Sequence, residues 1–175
     1  MKKLLIVIDY QNDFVDGSLG FQDAKLIEEY IVNLIDEYHQ NNQDVIFTLD
    51  THQDNYLKSQ EGINLPIVHC IDGTSGHQLY GKVKQQVALS DKIFKKPTFG
   101  SLDLGIYLKD KDYDEITIVG VVSNICVISN AIIAKAALPE AKIIIDCKGI
   151  ASNDIALQNK AIDILSNLQC IIINQ

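Results

Sequence analysis

Short apolar runs punctuate the chain, and between most of them lie longer segments in which apolar positions recur every three or four residues. The runs are Leu4–Ile8, Val45–Leu49, Ile116–Val119, Ile143–Ile145 and Cys170–Ile173, with a further short strand expected near Lys92–Phe94. Each run is apolar at successive positions instead of alternating, which is what a strand covered on both faces requires. Helical spacing extends roughly over Ala24–Asn41, Leu102–Lys109, Ile125–Ala137 and Asp154–Leu168, with Glu28, Glu29, Asp36, Lys135 and Lys160 on the polar faces. Strands alternating with helices pair in parallel. The expected fold is therefore α/β, a three-layer Rossmann-like arrangement whose mostly parallel central sheet is covered by helices on both faces.

No internal repeat, low-complexity tract or Pro/Gly-rich linker divides the chain, so residues 1–175 read as a single domain. A chain of this length buries about 70% of the surface its unfolded form exposes. The longest stretch without clear periodicity runs from Thr51 to about Tyr80, directly after a strand, and such stretches in compact domains are usually functional. In open α/β sheets the ligand crevice lies beyond the carboxyl ends of the strands. Chemistry is accordingly sought at Asp9, Asp50, Lys96, Cys126 and Asp146.

Composition narrows the partners. A formal charge of -8 argues against a nucleic-acid or anionic-membrane surface, which needs clustered Lys and Arg, and leaves small-molecule chemistry as the expectation. Four cysteines, at positions 70, 126, 147 and 170, lack the spacing of a secreted disulfide framework and read as reduced thiols. The run Leu4–Ile8 is far too short for a signal or a membrane span, which points to the cytoplasm.

Gly120-Val121-Val122-Ser123-Asn124-Ile125-Cys126 joins a buried strand to a helix and puts Cys126 in that helix's first turn. Unpaired N–H groups and the positive end of the macrodipole there favour a thiolate and can hold a developing oxyanion. A free cysteine is as often a small buried hydrophobe, and a lone strand-terminal Asp or Lys is more often a cap or a solvated charge. What shifts the balance is the combination: Asp9 and Lys96 end their strands at the same sheet edge, so a carboxylate, an ammonium and a thiol can meet.

Four stretches together carry a resemblance that covers nearly the whole chain: Leu5-Ile6-Val7-Ile8-Asp9-Tyr10-Gln11-Asn12-Asp13-Phe14, Lys96-Pro97-Thr98-Phe99-Gly100, Gly120 to Val127, and Ala136-Ala137-Leu138-Pro139. In these the chain resembles the isochorismatase-like cysteine hydrolase family, which includes nicotinamidases. The resemblance implies a catalytic triad of Asp9, Lys96 and Cys126. It also implies a cis peptide at Val121–Val122 and an oxyanion hole made by the amides of Val122 and Cys126. The implied activity is hydrolysis of nicotinamide or a related aromatic amide, a small-molecule substrate, to the acid and ammonia through a thioester.

Asp50-Thr51-His52 follows the strand Val45–Leu49, and Glu61 and His69 lie in the loop beyond. Two His and two carboxylates suit a divalent ion, zinc first and iron or manganese as alternatives. In strand-like backbone, positions 50 and 52 point the same way, so both can reach one ion. Asp54 competes with Glu61 as the third ligand. Nicotinamidases carry an Asp-x-His pair, a further carboxylate or His, and a His just before a Gly-Thr-x-Gly turn. His69-Cys70-Ile71-Asp72-Gly73-Thr74-Ser75-Gly76 fits that pattern. His39 and His77 fit no such pattern and are expected at the surface.

Candidate substrate contacts are Phe14, Leu19, Phe99 and Ile125. The resemblance weakens here, since the aromatic residue that nicotinamidases place ahead of the metal-binding His is replaced by Leu65-Pro66. Cys70, Cys147 and Cys170 read as buried filler and Asp146 as a structural hydrogen-bonding carboxylate. Three alternatives stay open: a metal-independent isochorismatase-like or other carbamoyl/amide hydrolase, a receiver-like phosphoacceptor domain using Asp50, and a binding protein that has lost turnover. A homo-oligomer is expected on general grounds and by resemblance.

Overall fold

The computed structural model describes residues 1–175. Its sheet has six strands, β1 (Lys3–Ile8), β2 (Asp44–Asp50), β3 (Lys92–Lys96), β4 (Glu115–Val121), β5 (Lys142–Ala151) and β6 (Ile171–Ile173), in the spatial order β3-β2-β1-β4-β5-β6. Every pair is parallel. The order reverses direction between β1 and β4, and that is where a doubly wound sheet opens its ligand crevice.

Eight helices surround the sheet: α1 (Asn12–Val15), α2 (Gln22–Leu26), α3 (Glu28–Gln40), α4 (Gln60–Asn64), α5 (Gly81–Gln85), α6 (Leu102–Leu108), α7 (Ile128–Ala137) and α8 (Ile155–Asn167). Strand β1 explains why its run is apolar at every position. Leu4, Ile6 and Ile8 pack with Leu104 and Leu108 of α6, Ala131 and Ala134 of α7, and Ile162 and Leu165 of α8. Leu5 and Val7 face the opposite layer, with Ile31 and Ile35 of α3 and Val83 of α5. Burying each such side chain stabilises the fold by about 1.5–3 kcal/mol, so the two layers lock β1 and its terminal Asp9 in place.

Local chemistry sets several boundaries. Ser59, Ser101 and Asp154 cap α4, α6 and α8 by accepting the amides of Gly62, Leu104 and Leu157. The helix expected over Ala24–Asn41 is instead two, broken at Ile27, whose backbone (φ -88, ψ -5) departs from helical geometry. The stretch Thr51–Tyr80 is not structureless. It holds a 3₁₀ turn at Tyr56–Lys58, then α4, and an isolated parallel bridge between His52 and Ile71. Strand β5 outruns its expected end at Ile145, because a bulge shifts its register on β4 from Ile118↔Ile145 to Gly120↔Ile150 and carries pairing on to Ala151. Asp146 is consequently mid-strand, not at the sheet edge.

Gly120 is the tightest point of the β1–β4 seam. Its φ of +114° is open to glycine alone, and a Cβ there would sit 2.1 Å from the Ile8 carbonyl oxygen. Because Gly120 leads into the Val121–Cys126 turn, this approach sets where that turn begins. Gly120→Ala is expected to destabilise the fold by at least about 3 kcal/mol, read from urea denaturation. A loss below about 1 kcal/mol would contradict the close approach.

Candidate active site

The three groups at positions 9, 96 and 126 meet in one buried pocket at the carboxyl edge of the sheet. Lys96, the last residue of β3, is buried, and its Nζ lies 2.6 Å from Asp9 Oδ2, 3.3 Å from Asp50 Oδ1 and 3.6 Å from Cys126 Sγ. Its fourth polar contact is the Thr98 carbonyl, at 3.0 Å. Asp9 leaves β1 with φ +47°, a left-handed conformation that Asp tolerates better than most residues. Its Oδ1 accepts the Thr48 hydroxyl at 2.7 Å. Its Oδ2, though close to Lys96, takes part in no hydrogen bond of good geometry and keeps a lone pair free.

Cys126 differs from expectation in two respects. It lies in a π-helical turn, Ser123–Val127, ahead of α7, where the Val122 carbonyl accepts both Ile125 N–H and Val127 N–H. Such turns recur at functional sites. Burial pushes its thiol well above the ordinary value and Asp9 adds to this, against the pull of Lys96. The thiolate bias expected from a helix start does not dominate, so the resting sulfur is protonated. Asp9's carboxyl is also pushed up, by burial and by Asp50, with Lys96 opposing. Burial disfavours the charge on Lys96, yet Asp9, Cys126 and Asp50 together raise it above the ordinary lysine value.

The Val121–Val122 peptide is cis, and the Val122 N–H is paired with no carbonyl. Asn130, fully buried on α7, donates to the Cys126 and Phe99 carbonyls and accepts the Ser101 amide, tying the thiol's turn to the loop after β3.

Beside this centre, Asp50, His52, Glu61 and His69 each offer one donor atom, all within 4.8 Å of one another. Glu61 reaches the cluster from α4. Asp54, its competitor in the sequence, is exposed and outside the cluster. The bridge between His52 and Ile71 delivers His69, because His52 N–H donates to the Cys70 carbonyl and Asp72 N–H to the His52 carbonyl. His69 Nδ1 donates to the Ile67 carbonyl at 2.7 Å, which leaves the Nε2 lone pair facing the cluster. His52 Nε2 and Glu61 Oε2 are buried without a hydrogen-bond partner, although Asp50 Oδ2 is 3.0 Å from that nitrogen. Buried polar atoms left unpaired in this way are costly, and convergent lone pairs on N and O donors are what a divalent cation satisfies. The residues present fit such an ion.

A cavity of about 190 Å³ opens over both centres. Phe14, Leu19, Phe99 and Ile125, the candidate substrate contacts, all line it, together with the polar groups of Cys126, Asp50, Glu61 and His69. The sequence reading missed Phe21, Leu65 and Asn153. Asn153 lies just past the true end of β5, so the strand-end rule would have found it had the bulge been foreseen. His77, expected at the surface, is buried, with Nε2 2.8 Å from Thr51 Oγ1 and Asp72 beyond its other nitrogen. His39 keeps a quarter of its side chain exposed and pairs with Asp91. Asp146 accepts from Tyr30 and Asn174 and lies far from the cavity's lining. Cys70 and Cys170 are buried, but Cys147 is only half-buried.

An all-parallel α/β sheet with a buried thiol, carboxylate and ammonium at its switch point defines the class of protein, and comparison with known proteins gives the family. Residues 3–175 match the family model described as Isochorismatase domain, and the chain belongs to that family. It is 36% identical over 144 residues, 75% of this chain and 78% of the relative, to an isochorismatase family protein PncA of Bacillus subtilis. To the nicotinamidase of Saccharomyces cerevisiae it is 26% identical, with 90% of this chain and 93% of that protein covered. Among solved structures, that of nicotinamidase PncA from Bacillus subtilis superposes with a TM-score of 0.87 at 28% identity, covering 99% of this chain and 100% of that one. No helix is long and apolar enough to cross a membrane.

Lys96→Met removes the only cation from a buried group holding two carboxylates, and breaking such a pair costs about 3–5 kcal/mol. Burial keeps Asp9 above its unfolded value, so without Lys96 the folded protein holds a proton that the unfolded chain releases. Its stability contribution is then present at low pH and lost as pH rises through the folded value. Denaturation at two pH values is expected to show a larger deficit against wild type near pH 8 than near pH 5.

Proposed function

We propose that the chain, acting as one hydrolase domain, is a cysteine-dependent amidohydrolase that cleaves nicotinamide or a closely related aromatic amide to the acid and ammonia. The observation that carries this reading is the meeting of Cys126 Sγ, Asp9 and Lys96 Nζ beneath a small cavity that Cys126 helps to line and whose walls are aromatic and aliphatic. The names of the relatives point to the same substrate. At about 190 Å³ the cavity is below the size of drug-sized pockets, about 300–1,000 Å³, and suits a single ring.

In this reading the free lone pair of Asp9 Oδ2 takes the thiol proton as sulfur attacks the amide carbonyl carbon, while Lys96 offsets the charge. The resulting oxyanion is held by the amides of Val122 and Cys126. Collapse breaks the C–N bond, and Asp9 returns its proton to the departing nitrogen as ammonia. Water then gives a proton to Asp9 and adds its oxygen to the thioester, and the acid leaves as the thiol is restored. A base is needed because burial keeps the resting thiol protonated. Phe14, Leu19, Phe99 and Ile125 would hold the ring, with Phe21 on the same lining.

Asp50, His52, Glu61 and His69 would hold a divalent ion, zinc by preference, and what it supplies there is a Lewis-acidic anchor for a ring nitrogen. The unpaired His52 Nε2 favours this over a metal-free amidase. Elemental analysis is expected to find about one equivalent of zinc, iron or manganese in wild type and little in His52→Ala. No transition metal in either sample would remove the ion from this reading.

Ammonia release from nicotinamide, compared with simple carbamoyl compounds, tests the reaction. Wild type is expected to prefer nicotinamide, and Cys126→Ala to lose at least about 10³-fold in turnover. Wild-type rates in the folded Ala variant would exclude the thiol as nucleophile.

A further inference from the structure

We propose that the turn after β1 acts as a splint, with Gln11 and Asp13 as positioning residues that fix Asp50 and His69 to the same strand end that carries Asp9. The inference rests on the reading of Asp50, His52, Glu61 and His69 as an ion site, and it assigns a role to residues that the proposed reaction does not use.

Gln11 is fully buried two residues past Asp9. Its side-chain amide grips the backbone of Asp50 on both sides, with Oε1 accepting Asp50 N–H at 2.8 Å and Nε2 donating to the Asp50 carbonyl at 2.9 Å. Its second N–H goes to the His77 carbonyl at 2.8 Å. The amide thus stands where a further strand would pair with the end of β2, and it spends both donors and its acceptor on backbone alone. Asp50 faces Lys96 with one carboxylate oxygen and both imidazoles with the other, so a shift of its backbone would disturb two centres at once.

Asp13 does for the other ligand segment what Gln11 does for Asp50. Its Oδ2 accepts the Cys70 N–H at 2.7 Å, next to His69, where Cys70 has the left-handed φ of +46°. The turn is pinned independently of these side chains, since Asn12 N–H donates to the Gln78 carbonyl and Asp13 N–H to the Gly76 carbonyl. Side chains that orient ligands in this way change metal affinity by about 10–100-fold when removed.

The test measures zinc affinity by competition with a chromophoric chelator, alongside chemical denaturation of the metal-free proteins, in wild type, Gln11→Met, Asp13→Ala and Tyr38→Phe. Tyr38 donates to Thr117 away from the site, and its variant controls for stability loss alone. Gln11→Met and Asp13→Ala are each expected to weaken zinc binding by about 10-fold or more while the folded fraction stays complete. Their KM for amide substrate should also rise by a larger factor than kcat falls, whereas Tyr38→Phe changes stability only. Wild-type affinity in both folded variants, or an equal loss in Tyr38→Phe, would overturn the splint. Should Gln11→Met not fold, Asp13→Ala alone decides. A wild type that binds no zinc would overturn the ion reading and the splint with it, and that outcome is distinct from a wild type that binds zinc no better than its variants.

Discussion

A single buried ammonium organises this molecule's working end. Lys96 sits between Asp9, Asp50 and Cys126 with no exposed side-chain surface, so its charge must be balanced by groups drawn from three different strand ends. Desolvating such a cation costs several kcal/mol, and the cost is recovered only when the geometry of its partners is close to ideal. The fold therefore cannot let β1, β2, β3 and the turn after β4 drift independently. Parallel register supplies the alignment: Asp50 pairs with Lys96, and Ile8, one residue before Asp9, pairs with Gly120.

The same cation sets the electrostatic division of labour. It faces a thiol and a carboxyl whose proton affinities burial has both raised, so neither group carries its charge as readily there as it would in water. Asp50 is pulled the other way. Burial opposes its charge, but the nearby imidazoles of His52 and His69 and the charge of Lys96 hold it well below the usual carboxylate range. Two aspartates at neighbouring strand ends are thus driven apart in proton affinity by their surroundings, which is how one sheet edge can hold a proton acceptor beside a permanent anion.

How much of this was legible in sequence depends on the range of the interaction. The apolar runs announced every strand but β3, which is Lys-rich and largely exposed, because burial on both faces constrains each successive position, and residues at strand ends followed directly: Asp9, Asp50, Lys96 and Cys126 are where the order of strands placed them. What escaped were consequences of irregular backbone. The bulge in β5 carried the strand's end from the expected Ile145 to Ala151 and hid Asn153. The π turn lifted Cys126 out of a regular helix start, and its burial reversed the expected bias toward thiolate. His77 read as a surface residue because it fits no ligand pattern, yet the Thr51 hydroxyl and the Asp72 carboxylate meet its ring nitrogens and its own N–H donates to the Thr74 hydroxyl. Glu61 and His69 were nameable only through the resemblance, since loop closure joins residues whose spacing carries no period.

Chemistry and selectivity are built from different material here. Asp9, Lys96 and Cys126 stand at or just past strand ends held by two core layers, whereas most of the cavity wall comes from connecting segments: Leu19 and Phe21 between α1 and α2, Leu65 after α4, Phe99 after β3 and Asn153 after β5, with Phe14 of α1 beside them. Those segments answer to fewer packing constraints, so the wall can change while the centre beneath it keeps its geometry. The replacement of an aromatic by Leu65-Pro66 is such a change. It leaves Phe14 and Phe99 as the aromatic surface of the cavity and puts a short aliphatic side chain on the wall beside Glu61 and His69, while Asn153 adds a neutral amide. A substituent on the ring would meet either apolar surface or a hydrogen-bonding partner according to which way it points. Changes at Leu65 and Asn153 would thus reshape the wall while Asp9, Lys96 and Cys126 keep their geometry beneath it.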